Sequence, residues 1–347
     1  MQTLLSSLRH RFIQAPMAGA QDAQLAIAVC QAGGLGSLPA AMYSPEQLDA
    51  QLSTFRQAVG NAPVNVNFFA HETPNPSAEQ VVRWQSALQP YCAELGVDLS
   101  QVALQDTRRP FDETMLPVLA KHRPAVVSFH FGLPSSPLLD AVRVTGAKIL
   151  SSATTVREAR YLAEQGVDGI IAQGWEAGGH RGWFLDKDDV ATQSGTFALL
   201  PNIVRAVDLL VIAAGGIADC ATVQAASALG AAAVQSGTAF LLADEALTAP
   251  IHRAYLQSEQ AACTAVSNIF TGGGARGIVT RWMRELGYMH PNALPFPLAG
   301  VYFAALRQAA QNAGCHEFNS FWAGQNAPLC QTGSAAQIIR NLMGETA

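Results

Sequence analysis

The chain has 347 residues, of which 49% are hydrophobic and 14% charged, a composition that excludes an intrinsically disordered protein. Its net charge is −5, and no basic run is longer than the pair Arg108-Arg109, which argues against a nucleic-acid partner. Residues 1–11 lack the apolar stretch of a signal peptide, and no uncharged apolar segment reaches the roughly 18 residues of a membrane span. We therefore expect a globular, cytoplasmic protein that does not enter membranes.

The six cysteines are widely separated along the chain, and none forms a C-x-x-C pair or stands near a histidine at metal-ligand spacing. This spacing predicts neither a disulfide framework nor a zinc site.

Short runs rich in Val, Ile and Phe alternate with amphipathic stretches of helical length, which predicts a parallel sheet. The eight strands are expected at residues 12–15, 34–38, 63–69, 125–131, 148–151, 169–173, 209–213 and 232–236. Helix starts are predicted at Asp22, at Ser44 with Pro45 and Gln47 as a capping box, and at Asp219. Eight β/α alternations favour a (β/α)8 TIM barrel over a doubly wound sheet.

Two segments exceed a minimal barrel. Residues 71–112 are long for one connection and include a helical stretch from about 77 to 95. After the eighth strand, residues 244–295 contain a helical stretch, an extended piece at 264–270 and a glycine cluster at 272–274. We therefore expect an α/β fold with a barrel core over 1–243, a small inserted subdomain on the substrate side over 244–295, and C-terminal helices over 296–347 that complete and cover the barrel.

Active sites of TIM barrels lie at the carboxyl ends of the strands. The seventh strand runs into Gly215-Gly216 and the eighth into Gln235, Ser236, Gly237 and Thr238. Glycines allow backbone N–H groups to approach an anion, and helix starts at Asp219 and after Thr238 would add positive dipole ends. Either glycine segment alone is compatible with a simple tight turn, but together they predict a phosphate site.

The sixth strand leads into a glycine-rich loop that carries His180, whose ordinary pKa near 6.5 suits proton transfer. We predict a catalytic or substrate-contacting role for it. His130, at the end of the fourth strand, is expected either to contact the substrate or to support its neighbours. Glu176 and Arg181 are expected to form an exposed ion pair.

Asn67 and Gln173 are amides at the ends of apolar strands. A side chain that both donates and accepts suits a heterocycle with carbonyls and ring nitrogens, such as a flavin. The alternative is that each amide ties down neighbouring loops. Trp322 and Gln325, near the C-terminus, are candidates to cap a planar ligand, although a tryptophan there can also simply pack.

Seven segments together resemble the nitronate monooxygenase family over nearly the whole chain. They are Ala15-Pro16-Met17, Asn65-Val66-Asn67, S-F-H-F-G at 128–132, E-A-G-G-H-R-G at 176–182, A-G-G at 214–216, Q-S-G-T at 235–238 and W-A-G-Q at 322–325. The resemblance implies an FMN-dependent TIM barrel without a metal. Such an enzyme oxidises alkyl nitronates, for example propionate 3-nitronate, with O2 to a carbonyl compound and nitrite.

The family's flavin contacts correspond to Asn67, Gln173, Gly178, Gly216 and residues 235–238. We extend the predicted cofactor site to the neighbouring members of the motifs, namely Ala15, Pro16, Met17, Gly179, Gly215, Trp322 and Gln325. The family's active-site histidine corresponds to His180, the base for a neutral nitroalkane; for an anionic nitronate, a protonated imidazole would stabilise the charge. His130 then lines the substrate pocket.

The chain departs from the family pattern at residues 294–304. Family members carry tyrosines and a lysine before the last long helix, whereas here only Tyr302 is phenolic and no lysine is present. We therefore expect a more apolar pocket wall.

Three alternatives stay open at this point: another FMN oxidoreductase on the same scaffold, such as an NADH:quinone reductase or an enoyl-thioester reductase; a flavin-binding barrel without redox turnover; or a flavin-free barrel acting on a sugar or nucleotide phosphate.

Overall fold

The computed structural model describes residues 1–105, 108–185, 187 and 189–345. The strands are β1 Phe12–Gln14, β2 Gly36–Pro39, β3 Val64–Phe69, β4 Val126–His130, β5 Lys148–Ala153, β6 Gly169–Gln173, β7 Gly179–His180, β8 Leu210–Ala214, β9 Ala233–Ser236, β10 Thr264–Ser267 and β11 Ala275–Ile278. The helices are α1 Gln2–Ser7, α2 Ala23–Gln31, α3 Pro45–Val59, α4 Ala78–Leu95, α5 Leu116–His122, α6 Ser136–Val144, α7 Val156–Glu164, α8 Thr196–Ala206, α9 Cys220–Ala228, α10 Pro250–Leu256, α11 Arg281–Leu286, α12 Ala299–Asn312 and α13 Ala335–Met343.

Eight strands form one parallel sheet in the order β1-β9-β8-β6-β5-β4-β3-β2. A parallel bridge between Ile13 and Leu35 joins the two edges of this sheet, which closes it into a barrel. All eight strands lie within two residues of their predicted bounds. The predicted caps are also present: Asp22, Ser44 and Asp219 each accept a hydrogen bond from the first turn of α2, α3 and α9. The TIM barrel prediction is confirmed.

The inside of the barrel changes from apolar to polar along the strands. Leu5 of α1 packs at the lower end against an apolar cluster that includes Val126, Leu150 and Ile171. Because side chains two residues apart lie on the same face of a strand, the next inward positions are Ser128, Ser152 and Gln173, and each of these is buried. A polar layer therefore lies at the carboxyl ends of the strands.

A larger core fills the space between the sheet and the outer helices. Helix α13 contributes Ile338, Ile339 and Leu342 to it and contacts α2 and α9. The chain's last helix therefore closes the outer ring of the barrel.

A second core lies beside the barrel and joins α4 from the β3–β4 connection with α11 and α12, around Trp84, Trp282 and Phe303. A three-stranded antiparallel sheet in the order β10-β11-β7 links the segment after β9 to the loop after β6. The division of the chain at 243 and 295 stays a prediction. No helix of the described chain is long and apolar enough to cross a membrane.

Candidate active site

The loop that follows β6 is bound by two side chains at strand ends, Gln173 and His130. Gln173 Nε2 donates to the His180 carbonyl oxygen at 2.9 Å, and Gln173 Oε1 accepts from Gly182 N at 2.7 Å. The loop is also held by the pairing of β7 with β11, in which His180 lies opposite Ala275. Both polar atoms of Gln173 therefore bind the loop, as the alternative interpretation of this amide requires, and its contact with a flavin stays a prediction.

His130 supports the same carbonyl group. Its Nε2 lies 3.0 Å from the His180 carbonyl oxygen, and its Nδ1 lies 3.0 Å from Ser152 Oγ. A carbonyl only accepts, so Nε2 carries the hydrogen and Nδ1 accepts from the serine hydroxyl. Burial lowers the pKa of His130 to about 4, which keeps the ring neutral. Both ring nitrogens of His130 are bound by the protein, which agrees with the alternative that this residue supports its neighbours. Its contact with the substrate stays a prediction.

The His180 ring is fixed by one hydrogen bond. Its Nε2 lies 2.9 Å from Thr271 Oγ1, and that hydroxyl also faces the Gly273 carbonyl oxygen at 3.4 Å. When the hydroxyl donates to this carbonyl it accepts from Nε2–H, and in that arrangement the lone pair of the ring lies on Nδ1. No described residue forms a hydrogen bond with Nδ1. Burial, and then the positive charge of Arg108, lower the pKa of His180 well below 6.5.

Aromatic side chains surround His180. The His180 ring lies 5.1 Å from Phe296, 5.5 Å from Trp322 and 5.9 Å from Phe131, measured between centroids. Phe69, at the end of β3, lies 6.3 Å away. Phe131 has a φ of 69°, a left-handed conformation that is rare and costly for a bulky residue. The backbone at the end of β4 therefore holds this ring against the pocket at some cost in strain.

The apolar wall expected from residues 294–304 is provided by Phe296. Tyr302 is elsewhere: it is buried in the second core, and its hydroxyl accepts a hydrogen bond from Gln85 Nε2 at 3.0 Å. The phenol of this segment therefore does not face His180, whereas the phenylalanine does.

A glycine-lined corner lies beside this pocket, where the C-terminal segment meets the loops after β6, β8 and β9. A Cβ on Gly178 would lie 2.5 Å from Gly324 N, and Gly216 has a φ of 74°. Gly324 N donates to Thr238 Oγ1 at 3.0 Å, and Asn326 Nδ2 donates to the Gly216 carbonyl oxygen at 2.7 Å. The glycine segments predicted after β6, β8 and β9 therefore meet at the C-terminal segment, because backbones can approach closely where side chains are missing.

The remaining predicted cofactor residues flank this corner. Gly215 precedes Gly216, Gly179 begins β7, Trp322 forms a bridge to Gly277, and the exposed Gln325 donates its N–H to the Glu176 carbonyl oxygen at 2.9 Å. Gly179 and Gly215 follow predicted strands, so the sequence already places them at the barrel mouth. Trp322 and Gln325 are brought there only by the tertiary fold.

Helix dipoles contribute less to this corner than expected. At the start of α9, Asp219 Oδ1 already accepts from Thr222 N at 2.8 Å, so a carboxylate occupies the positive end of that helix. The helix expected after Thr238 is a single 3-10 turn, Thr238–Phe240, which has little dipole. The predicted helix start after Thr238 is therefore wrong, whereas the one at Asp219 is confirmed. The phosphate site itself stays a prediction that rests mainly on the glycine backbone.

The first strand brings Ala15, Pro16 and Met17 next to the segment that follows β9. Ala15 N donates to the Ser236 carbonyl oxygen at 2.8 Å, and Met17 N donates to Gln21 Oε1 at 3.0 Å. A Cβ on Gly237 would lie 3.2 Å from Ala15 Cβ. Residues 15–17 and 235–238 therefore line one edge of the site.

Polar atoms at the strand ends differ in their availability. Ser236 Oγ donates to the Ile217 carbonyl oxygen at 2.7 Å, and Asn67 Nδ2 donates to Ser128 Oγ at 2.9 Å. The buried Oε1 of Gln235 has no hydrogen-bond partner among the described residues. Since a buried acceptor without a partner is costly, Gln235 is a candidate to bind a ligand atom.

The expected exposed pair of Glu176 with Arg181 is wrong. The Glu176 carboxylate accepts from Thr196 N at 2.8 Å, at the start of α8, where free N–H groups attract an anion. Arg181 is 0% exposed and donates to the Gln173 and Gly174 carbonyl oxygens at 2.9 and 2.6 Å. Burial lowers the pKa of Arg181 to about 9. Its guanidinium fixes the turn from which the His180 loop departs.

Sequence reasoning missed several pocket residues, namely Phe69, His71, Arg108, Thr271 and Phe296. Phe69 stands at a predicted strand end and was therefore detectable. Thr271 and Phe296 lie in the segment after β9, where no local pattern connects them with His180. No group of three or more His, Cys, Asp or Glu suitable for a metal occurs among the residues that the structure covers.

Comparison with known proteins agrees with this geometry. The family model of nitronate monooxygenase matches residues 2–345. A nitronate monooxygenase from Pseudomonas aeruginosa is 38% identical over 347 residues, which cover 99% of this chain and 98% of that protein. One from Paraburkholderia phytofirmans is 39% identical over 337 residues, covering 96% of this chain and 91% of that protein. The structure of a nitroalkane oxidase from Streptomyces ansochromogenes matches with a TM-score of 0.89 and 35% identity, covering 99% of this chain and 97% of that chain. The chain therefore belongs to the nitronate monooxygenase family of oxidoreductases.

Proposed function

We propose that this protein is an FMN-dependent nitronate monooxygenase that oxidises alkyl nitronates, such as propionate 3-nitronate, with O2 to a carbonyl compound and nitrite. The observation that carries the proposal is the state of His180: a neutral imidazole whose Nδ1 lone pair has no hydrogen-bond partner among the described residues, inside an aromatic pocket next to the glycine corner. Family membership supports a flavin cofactor, and the proposal specifies FMN.

The site's residues fit a flavin mononucleotide. Gly178 and Gly324 meet so closely that a side chain on either would displace the other, which leaves bare backbone beside Gly216 and Gly237 for a phosphate. The unpartnered Oε1 of buried Gln235 supplies an acceptor of the kind that a flavin ring N–H needs. The predicted contacts of Ala15, Pro16, Met17, Asn67 and Trp322 would hold the ring between the strand ends and the C-terminal segment.

When bound, a flavin supplies an acceptor for substrate electrons and a route to O2. The chain's own residues prepare the substrate. His180 Nδ1 takes the proton from the carbon next to the nitro group when the substrate is a neutral nitroalkane. Thr271 keeps the ring in the required tautomer, and Gln173 with His130 fixes the backbone of His180.

The test measures oxygen consumption and nitrite release by the FMN-loaded enzyme with propionate 3-nitronate and with nitroethane. We expect His180→Asn to lower kcat/KM for nitroethane by about 10²- to 10⁴-fold, the usual contribution of a general base, while FMN content is unchanged. Propionate 3-nitronate, already deprotonated, should lose much less. Unchanged nitroethane turnover would remove His180 from the mechanism, and a wild-type enzyme that releases no nitrite from either compound would refute the function.

A second candidate is an FMN oxidoreductase that is reduced by NADH or NADPH. The apolar wall formed by Phe69, Phe131 and Phe296 favours it, because such a wall can accept an uncharged organic substrate. Rapid anaerobic bleaching of the flavin by NADH or NADPH, without bleaching by a nitronate, would establish this candidate in place of the first.

A further inference from the structure

The far end of the loop that carries His180 is bound by a buried carboxylate. Glu158, on α7, is 1% exposed. Its Oε1 accepts hydrogen bonds from Phe184 N at 2.6 Å and from Leu185 N at 3.2 Å. These two amides end the His180 loop, which comprises residues 174–185. Because a buried carboxylate is costly unless donors surround it, the loop end and Glu158 stabilise each other.

A glutamate at this position of a helix ordinarily serves only the helix. Thr155 is the N-cap of α7, and Glu158 is the third helical residue, where a glutamate commonly binds the backbone of the N-cap. Here Glu158 Oε2 accepts instead from Thr154 N at 2.7 Å and from Thr154 Oγ1 at 2.8 Å. Only this oxygen serves the start of the helix, and the other one binds the loop 26 residues away.

A chain of hydrogen bonds also joins Glu158 to the start of the loop. Thr154 Oγ1, which donates to Glu158, accepts from Gln193 Nε2 at 3.2 Å. Gln193 Oε1 in turn accepts from Arg181 Nη2 at 2.9 Å. Arg181 donates to the carbonyl oxygens of residues 173 and 174, where the loop begins. Because the chain runs in one direction from a buried cation to a buried anion, each bond polarises the next.

The two ends of this chain also compensate each other's charge. Burial, and then the nearby charge of Arg276, lower the pKa of Arg181, whereas the carboxylates of Glu158 and Glu176 raise it. A guanidinium that is 0% exposed is costly to bury without such carboxylates. Removing the charge of Glu158 therefore weakens the bonds at the loop end and the hold of Arg181 on the loop start.

His180 lies between these two anchors, and Arg181 directly follows it in the chain. At the other anchor, Phe184 packs on Gly132, where an added Cβ would lie 3.2 Å from the phenylalanine ring. Gly132 follows Phe131, whose ring lies 5.9 Å from that of His180. A displacement of the loop end therefore affects both the imidazole and the aromatic wall beside it.

We propose that Glu158 is a positioning residue for His180: by binding both ends of the His180 loop, directly and through Arg181, it holds the imidazole where it can take a proton from a neutral nitroalkane. This inference rests on the proposed function, and it adds a residue that acts through the loop. A glutamate that only capped α7 would contribute to stability and leave catalysis unchanged.

The kinetic test compares Glu158→Gln, which keeps the shape and removes the charge, with Thr155→Ala, which removes the N-cap of the same helix. We expect Glu158→Gln to lower kcat/KM for nitroethane at least about tenfold, as for the loss of a charge-assisted bond, with FMN content unchanged. Ethyl nitronate needs no proton removal and should change less than about threefold. Thr155→Ala should lose stability and keep the wild-type kcat/KM. Equal losses for both substrates, or an equal nitroethane loss in Thr155→Ala, would overturn the role.

A further variant tests the chain of hydrogen bonds. Gln193→Leu cuts it between Thr154 and Arg181 and leaves the four bonds of Glu158 in place. If Glu158 acts partly through Arg181, the nitroethane loss of the double variant is smaller than the product of the two single losses. A loss equal to that product, or an unchanged kcat/KM in Gln193→Leu alone, would overturn the link to Arg181.

Amide hydrogen exchange, followed by mass spectrometry, separates this inference from the proposed function because it needs no turnover. We expect residues 176–185 to exchange at least about tenfold faster in FMN-loaded Glu158→Gln than in FMN-loaded wild type, and Thr155→Ala to accelerate exchange only in α7. Equal exchange of this segment in wild type and Glu158→Gln overturns the positioning role. A wild-type enzyme that forms no nitrite, together with faster exchange in Glu158→Gln, refutes the reaction and leaves the loop anchor in place.

Discussion

Thr271→Val is the substitution that tests most directly how the fold prepares His180. Thr271 is 3% exposed, and its Oγ1 is the acceptor for His180 Nε2 at 2.9 Å. Valine has nearly the same shape but cannot accept, so a buried N–H loses its partner at a cost of about 1–3 kcal/mol. At about 1.4 kcal/mol per tenfold change in rate, this corresponds to roughly a 5- to 150-fold loss. The loss should fall on kcat/KM for nitroethane, because the tautomer that exposes the Nδ1 lone pair is no longer favoured.

The assay is oxygen uptake with nitrite release at pH 7.5, with nitroethane and ethyl nitronate run in parallel. Ethyl nitronate needs no proton removal, so its kcat/KM should change less than about threefold. Thr280→Val is the control, because Thr280 is 0% exposed and its Oγ1 has no partner among the described residues; its activity should match wild type. Equal losses for both substrates in Thr271→Val would mean a general distortion of the pocket, and no loss with nitroethane would refute the assigned tautomer.

Two further predictions concern the cofactor corner and stability. Gly237→Asp should release FMN because it puts a carboxylate beside the proposed phosphate position, whereas Gly237→Asn, with the same shape and no charge, should keep much more of it; equal flavin absorbance in the two purified variants would contradict that position. For stability, burial lowers the pKa of His130 and His252 to about 4 in the folded protein, against about 6.5 unfolded. The unfolded chain therefore binds more protons between pH 6.5 and pH 4, so stability is complete above pH 6.5 and falls as pH drops to 4, by about 3 kcal/mol per histidine. Urea unfolding across this range should show a shallower fall for His252→Asn than for wild type, and parallel pH profiles would contradict the shifted pKa.

The prediction of the fold depended on signals that are local in the chain. Runs such as 169–173 have the composition of buried parallel strands, and Ser44 with Gln47 forms the predicted capping box. Both signals depend on neighbours within a few residues, so they can be detected without the tertiary structure. The predicted position of His180 on a loop beyond a strand end followed from the same logic.

Local patterns could not assign polar side chains to their partners. Arg181 and Glu176 are near in sequence and opposite in charge, but the N–H groups at the start of α8 and the carbonyls after β6 compete for them more effectively. Such choices depend on which groups are brought together by the complete fold.

The sequence by itself determined the barrel, the order of its strands and the glycine segments at their carboxyl ends, because strand and turn preferences act over a few residues. Only the tertiary structure decided which residues surround His180. Thr271 and Phe296 come from the segment after β9, and Arg108 returns from the β3–β4 connection. Contacts between residues so far apart in the chain are set by how the second core packs against the barrel, and no local sequence pattern encodes that packing.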